Sequence, residues 1–396
     1  MSFRKKTLRD VDLAGKRVLV RVDFNVPQTP DGDIADNTRI RETLPSINYL
    51  RDAGCRVVLV SHLGRPDGKP DPRLSLEPVS RELNKLLGAP VAFARDTIGP
   101  DAHAQLDAVQ PGGVLLLENV RFHPEEEAND PGFAAELAKL GDVFVNDAFG
   151  TAHRAHASTA GVAGHLPAVA GLLMEKEIDA LGGVLADPRR PLAAVIGGAK
   201  VSSKIAVLEN LLPRVDALIV GGGMACTFLK AKGLEVGRSL LEQDRVAFAS
   251  ELMVRAESRG VRFLLPVDGV CADSLDRPMR VVTVDADRMP SDLMMLDIGP
   301  RTVDSFSREV SEAGTILWNG PMGVFENDRF AEGTKLVGEA IASSGATTIV
   351  GGGDTVAAIE RFSDPARFTH VSTGGGASLE FLEGKTLPGI AALDDK

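Results

Sequence analysis

The chain has 396 residues, 44 % of them apolar, which is enough for two or three domains with large buried cores. Its formal net charge of −11 sets the surface as a whole against nucleic acid and anionic membrane, so any anion site must be a local concentration of Arg and Lys. The three cysteines, Cys55, Cys226 and Cys271, lie far apart without a C-x-x-C pair; this argues against a disulfide framework or a zinc site and fits a reducing cytosol.

The start, MSFRKKTLRD, is basic but has no apolar h-region behind it, and no apolar stretch approaches the roughly 18 residues of a membrane span. Residues 16–22 (KRVLVRV) form the first clear strand, ending in Arg21, Asp23 and Asn25. A helix pattern from about Asn37 to Leu50 places Ile40, Leu44 and Ile47 on one face. Arg39 and Arg41 stand near its start, where the helix dipole opposes them, so they need another reason to be there. A second strand, Arg56 to Ser61, ends in His62, Gly64, Arg65 and Pro66, and Pro78 begins another helix where its missing N–H costs nothing. The strand Val114 to Leu117 ends in Glu118, Asn119 and Arg121. Asp130-Pro131 opens a helix to Leu140. The strand Asp142 to Val145 leads into Asn146, Asp147 and the loop GTAHRAHAST. Strand, loop and helix in repetition are the signature of an α/β domain with a parallel sheet, in which ligands bind beyond the carboxyl ends of the strands. Arg21, Asp23, Asn25, His62, Arg65 and Arg121 collect at those ends, with Arg154 in a following loop. Arg suits bidentate contacts to carboxylate and phosphate, so this half of the chain reads as an anion pocket rather than scattered surface charge.

Residues 167–171 (PAVAG) read as a short buried element, and LLMEKEIDALGGVLADP as one helix loosened at Gly182-Gly183, a candidate connector between halves. The second half then repeats one device four times: AAVIGGAKVSSKI (193–205), ALIVGGGMACTFL (217–229), TIVGGGDTVAAI (348–359) and HVSTGGGASLEFL (370–382). Each is an apolar strand, two or three glycines, then a helix. Glycines let the backbone turn sharply and approach a ligand, and helix starts offer N–H groups, so four such turns fit a nucleotide di- or triphosphate better than a single phosphate. Lys200 and Lys204, four residues apart, are expected on one helix face. In GGGDT, Asp354 and Thr355 read as helix caps. A carboxylate beside phosphate calls for a cation between them, so Asp354 points to Mg²⁺ carried with a nucleotide; the plainer alternative is an ordinary Asp cap on a tight turn. A further strand, Thr315 to Trp318, ends in NGPMGVFE, where Asn319, Pro321 and Glu326 are placed to line a base and ribose pocket.

The common signatures are absent. Gly384-Lys385-Thr386 resembles the end of a P-loop, but Leu379 stands where the first Gly belongs. A dinucleotide fingerprint fails at Cys226 and at Val356, which disfavours a dehydrogenase. There is no Gly-x-Ser-x-Gly elbow and no His-Glu-x-x-His pair.

Taken in order, RVDFNVP (21–27), SHLGRP (61–66), LENVRF (117–122), NDAFGTAHRAHAS (146–158), GGAKVSSKI (197–205), GGGMACTFL (221–229), WNGPMGVFE (318–326), GGGDT (351–355) and STGGGASLE (372–380) resemble the phosphoglycerate kinase family. The resemblance runs from about residue 18 to residue 386. Any one motif is weak; the ordered set is specific.

The resemblance implies two doubly wound α/β domains of Rossmann-like, three-layer form, facing across a hinged cleft. The expected divisions are 1–170 with the tail 380–396 for phosphoglycerate, a hinge helix at 171–186, and 187–379 for the nucleotide. It implies reversible phosphoryl transfer between 1,3-bisphosphoglycerate and ADP, with Mg²⁺, in a cytoplasmic monomer that needs neither nucleic acid nor membrane. By motif, Arg21, Asp23, Asn25, Arg39, His62, Leu63, Gly64, Arg65, Arg121 and Arg154 match the substrate positions. Arg39 and Lys200, with Gly374, Gly375 and Gly376 at a helix start, match the groups expected around the transferring phosphoryl. Gly197, Gly198, Lys204, Gly221, Gly222, Asn319, Pro321, Glu326, Gly352, Gly353, Asp354 and Thr355 match the nucleotide positions, with Asp354 on the metal. A catalytically silent nucleotide or phosphosugar sensor on the same fold is the alternative.

Overall fold

The structure, a computed structural model, describes residues 5–396. The chain divides into two compact units: the chain up to Asp179 joined by Thr386–Lys396, and Ala180–Lys385. Each contains a parallel six-stranded sheet.

In the first unit the strands are β1 Arg17–Arg21, β2 Arg56–Val60, β3 Val91–Phe93, β4 Val114–Leu116, β5 Val143–Asn146 and β6 Ala168–Ala170. Their order is β3-β4-β2-β1-β5-β6, with every pair parallel. The central strands β1 and β2 are short β-branched and Leu-rich runs buried at successive residues, as strands covered on both faces are. Val18, Val20, Val57 and Leu59 pack with Ile40, Ile47 and Leu50 of the helix Thr38–Asp52 in one buried cluster. The chain winds one way from β1 through β2 and the other way at β5, so the crevice between β1 and β5 opens beyond Arg21 and Asn146, which are register partners.

The second unit contains β7 Leu192–Ile196, β8 Ala217–Val220, β9 Arg262–Leu264, β10 Asp268–Ala272, β11 Val281–Asp285, β12 Met294–Ile298, β13 Thr315–Asn319, β14 Thr347–Gly351 and β15 His370–Val371. The large sheet runs β15-β14-β13-β7-β8-β9, and its winding reverses between β7 and β13. A separate antiparallel sheet, β11-β10-β12, lies in a stretch where no motif was read.

Three local expectations are corrected. The helix Leu172–Ala186 runs unbroken through Gly182 and Gly183. Two glycines cost about 1 kcal/mol each against alanine, and the buried stripe of Met174, Ile178, Leu181 and Val184 outweighs that. Lys200 and Lys204 do not share a helix face: Lys200 is extended before a 3₁₀ turn, Val201–Ser203, and Lys204 precedes the helix Ile205–Leu211. Asp354 and Thr355 are not caps. The helix begins at Gly353 with Gly352 before it and no side-chain cap, which leaves the Thr355 hydroxyl free to accept from the Gly320 N–H at 2.7 Å.

Asp147, at the end of β5, is fully buried and accepts from the N–H groups of Leu173 and Met174 at 2.9 and 3.1 Å, in the first turn of the helix Leu172–Ala186. Burial pushes its carboxyl from 3.8 up to about 6. The folded state therefore holds a proton that the unfolded chain releases across that window. The associated stability is present below about pH 4 and lost as pH rises through about 6, by up to about 3 kcal/mol. Asp147→Asn, which keeps an acceptor for the helix amides, is expected to flatten the pH dependence of the urea midpoint between pH 4 and 6. An unchanged slope would remove Asp147 as its source.

Candidate active site

In the first unit the strand ends carry a buried basic cluster. Arg21 is fully enclosed; its Nε donates to Ser158 Oγ at 2.8 Å and its Nη1 to the Val22 carbonyl, so it stands behind the pocket wall. Arg39, in the first turn of the helix Thr38–Asp52, pairs with Asp23 at 2.9 Å, which explains an arginine where the helix dipole opposes one. Arg121 is buried and donates from Nη1 to the Gly64 carbonyl at 2.9 Å, with Glu127 3.2 Å from its Nε. Asn25 accepts the Gly64 N–H at 2.9 Å, and the Leu63 carbonyl accepts from Asn119 at 2.7 Å. The loop Ser61–Pro66 is thus fixed through its backbone by Asn25, Asn119 and Arg121, while Arg65 remains exposed.

The electrostatics show what the cluster does. Burial holds His62 well below its ordinary 6.5, and the charges of Arg21, Arg121, Arg39 and Arg154 add to that effect. His156 is lowered to about 4 by burial and by Arg121, Arg21 and Arg154. The charges of four guanidinium groups act on His62 and of three on His156, while Asp23 and Glu127 each pair with one of them; a basic cluster of this kind in a protein of net charge −11 suits an anion.

In the second unit, the glycine turns after β7, β8 and β13 meet backbone to backbone at the point where the sheet reverses. Gly197 donates to the Asn319 carbonyl and Gly198 to the Pro321 carbonyl, both at 2.9 Å, and Gly222 donates to the Met322 carbonyl at 3.0 Å. A Cβ on Gly197 would lie 2.1 Å from the Pro321 oxygen, so only glycine permits this approach. Asn319 is fully buried; its amide donates to the Gly351 carbonyl at 2.9 Å and its oxygen accepts from Lys204 Nζ.

Two cavities flank this junction. One, of about 180 Å³, is lined by Lys204, Gly352, Gly353, Asp354, Gly375 and Gly376 among others. Burial lowers the Lys204 pKa, and the charge of Asp354, which lines the same cavity, opposes the shift. Gly374 is buried, and its N–H already donates to Ser372 Oγ at 3.2 Å. The other cavity, of about 470 Å³, is lined by Gly198, Gly222, Pro321, Glu326 and Asp354, and by Leu240, Leu275, Met295, Leu296 and Val324. Those apolar residues make it an apolar slot, and none of them was expected from the sequence. Asp354 borders both cavities, so one extended ligand could occupy the slot and the glycine turn together. Thr355 lines the smaller cavity, and Gly221 sits above Met322 at the junction. Lys200 is exposed.

The family described as phosphoglycerate kinase matches residues 8–385. The chain is 59 % identical over 398 residues to a phosphoglycerate kinase of Chloroflexus aurantiacus, covering 99 % of this chain and all of that one. Among solved structures it is similar to phosphoglycerate kinase from Coxiella burnetii, with a TM-score of 0.91, 44 % identity and 98 % of each chain covered. It is also similar to that from Pyrococcus horikoshii, with a TM-score of 0.84, 35 % identity and the same coverage.

Proposed function

The chain belongs to the phosphoglycerate kinase family, and from that membership we propose how its own residues carry reversible phosphoryl transfer between 1,3-bisphosphoglycerate and ADP, which yields 3-phosphoglycerate and ATP. The observation that supports the assignment most directly is the buried basic cluster at the strand ends, where Arg21 Nη2 lies 3.1 Å from His62 Nδ1, Arg121 holds the Gly64 carbonyl and Arg39 pairs with Asp23. In this reading Asp23, Asn25, Arg39, His62, Leu63, Gly64, Arg65, Arg121 and Arg154 hold the phosphoglycerate, and Arg21 supports them from behind. The adenine takes the apolar slot, with Glu326 at its ribose end. Gly197, Gly198, Gly221, Gly222, Asn319, Pro321, Gly352, Gly353 and Thr355 shape the phosphate path, and Lys204 contacts it. Arg39 and Lys200, with Gly374 to Gly376, face the transferring group.

The chemistry asks for little else. The acceptor is a carboxylate already ionised at neutral pH, so no general base is needed, and transfer depends on alignment and charge neutralisation. Arg39 supplies a fixed cation from the first unit and Lys200 one from the second. The helix Leu172–Ala186, which begins in one unit and ends in the other, is the proposed hinge; a cytoplasmic location and a monomeric state are part of the same proposal. No helix among the described residues is long and apolar enough to cross a membrane.

The donor set fits Mg²⁺ delivered with the nucleotide. Among the described residues no group of three or more His, Cys, Asp or Glu is placed to hold a metal, whereas Asp354 stands alone at the glycine turn, as suits an ion that takes one carboxylate together with phosphate oxygens and water. When bound, Mg²⁺ would neutralise charge on the phosphates.

The test is a coupled assay with ATP, 3-phosphoglycerate, Mg²⁺ and a dehydrogenase that consumes NADH. NADH loss requiring both substrates and abolished by EDTA is expected, and Asp354→Asn should raise the metal requirement by about tenfold or more. No turnover with both substrates present, or turnover indifferent to EDTA, would overturn the reading.

A further inference from the structure

We propose that Glu126 and Ser158 are positioning residues that fix the proton of His62 on Nε2, so that this imidazole meets the substrate anion as a neutral hydrogen-bond donor. The substrate part of the proposal rests on the assignment of His62 to the phosphoglycerate pocket.

The argument follows donors and acceptors along one buried chain. Glu126 is completely enclosed. Its Oε2 accepts the Ser158 N–H at 2.8 Å, and its Oε1 accepts the Ser158 hydroxyl at 2.6 Å. Its backbone carbonyl accepts the neighbouring Ala157 N–H at 2.9 Å, so the loop is held at three points. With its hydrogen committed to Glu126, the Ser158 oxygen has only lone pairs to offer, and Arg21 Nε donates to it at 2.8 Å. That bond orients the guanidinium fork, and Arg21 Nη2 lies 3.1 Å from His62 Nδ1.

A guanidinium can only donate, so Nδ1 must accept, and a neutral ring then carries its proton on Nε2. Asp23 Oδ1, the nearest carboxylate oxygen, is 4.0 Å from Nδ1, too far to draw a proton there. Burial and the surrounding arginines keep the ring neutral. The opposite tautomer would turn a lone pair toward the anion and set two donors, Nη2–H and Nδ1–H, against each other. The relay therefore supplies a directed donor among the arginines without adding another charge.

The experiment is nitrogen NMR of the full protein at pH 7, with the His62 signals assigned by their loss in His62→Gln. The wild type is expected to show a protonated Nε2 and an unprotonated Nδ1. Ser158→Ala should mix the tautomers and raise KM for 3-phosphoglycerate about tenfold with kcat within about twofold, and Ser158→Thr, which keeps the hydroxyl, should restore both. A protonated Nδ1 in the wild type overturns the relay whatever happens to the variants. So does a Ser158→Ala protein with unchanged tautomer and KM. If the tautomer is as expected but saturating 3-phosphoglycerate leaves the His62 signals unmoved, the substrate assignment of His62 fails while the Glu126–Ser158–Arg21 relay stands.

Discussion

Arg39→Ala is expected to lower kcat by ~10²-fold or more with little loss of stability, and Lys200→Ala to do the same. Among the described residues Arg39 is held at a helix start by one side-chain partner, Asp23, and its side chain is 37 % exposed, so the ion pair itself contributes at most about 1 kcal/mol to folding. Lys200 is exposed and lies outside any helix. Both carry cations that the fold itself does not need, and phosphoryl transfer is the step in which such fixed charges matter most. The measurement is kcat under saturating substrates, with the thermal midpoint as control. Near-normal turnover in both variants would remove them from the transferring phosphoryl. A loss of kcat matched by a collapse in midpoint would show a structural role instead.

Gly320→Ala should act in the opposite way, on the fold first. Gly320 has φ +104°, and an added Cβ would sit 2.2 Å from the Gly197 carbonyl oxygen and 2.4 Å from its carbon. Neither side can yield easily: Gly320 donates to Thr355 and accepts from Trp318, and Gly197 donates to the Asn319 carbonyl. Relief would require β7 and β13 to part where the sheet reverses and where the cavities meet. The expected cost is about 3 kcal/mol or more, with weakened ATP binding. Gly345→Ala is the control, since its φ is +70° but a Cβ there meets open space; about 1 kcal/mol of strain is expected. Equal urea midpoints for the two variants would show that the clash is absorbed.

The parts of the site that were legible in sequence are those in which chemistry and local geometry coincide. β-branched runs ending in Arg, Asp and Asn marked the basic strand ends, and strand–glycine–helix stretches marked the glycine turns that meet where the second sheet reverses. The apolar slot was not legible, because Leu240, Leu275, Leu296 and Val324 come from four separate stretches and each resembles an ordinary core residue until the chain folds. Glu126 and Ser158 escaped for a related reason: a carboxylate in PEEE reads as solvated helix, and only tertiary burial turns it toward a serine in another loop. Lys200 and Lys204 were misplaced because i,i+4 spacing implies a shared face only inside a continuous helix, and a 3₁₀ turn intervenes. The antiparallel β11-β10-β12 sheet carried no motif at all.

The return of residues 386–396 to the first unit has a bearing on synthesis. Asp394 accepts from Lys6 and donates to Ala168, and Gly389 donates to the Ala152 carbonyl, so the segment completes hydrogen bonding around β6 and the loop after β5. On a ribosome the second unit, residues 180–385, has every one of its own partners before this segment is made, while the first unit, translated earlier, still lacks a piece of itself. The order of translation and the order of completion are therefore reversed, and the earliest-made unit is the last to be finished.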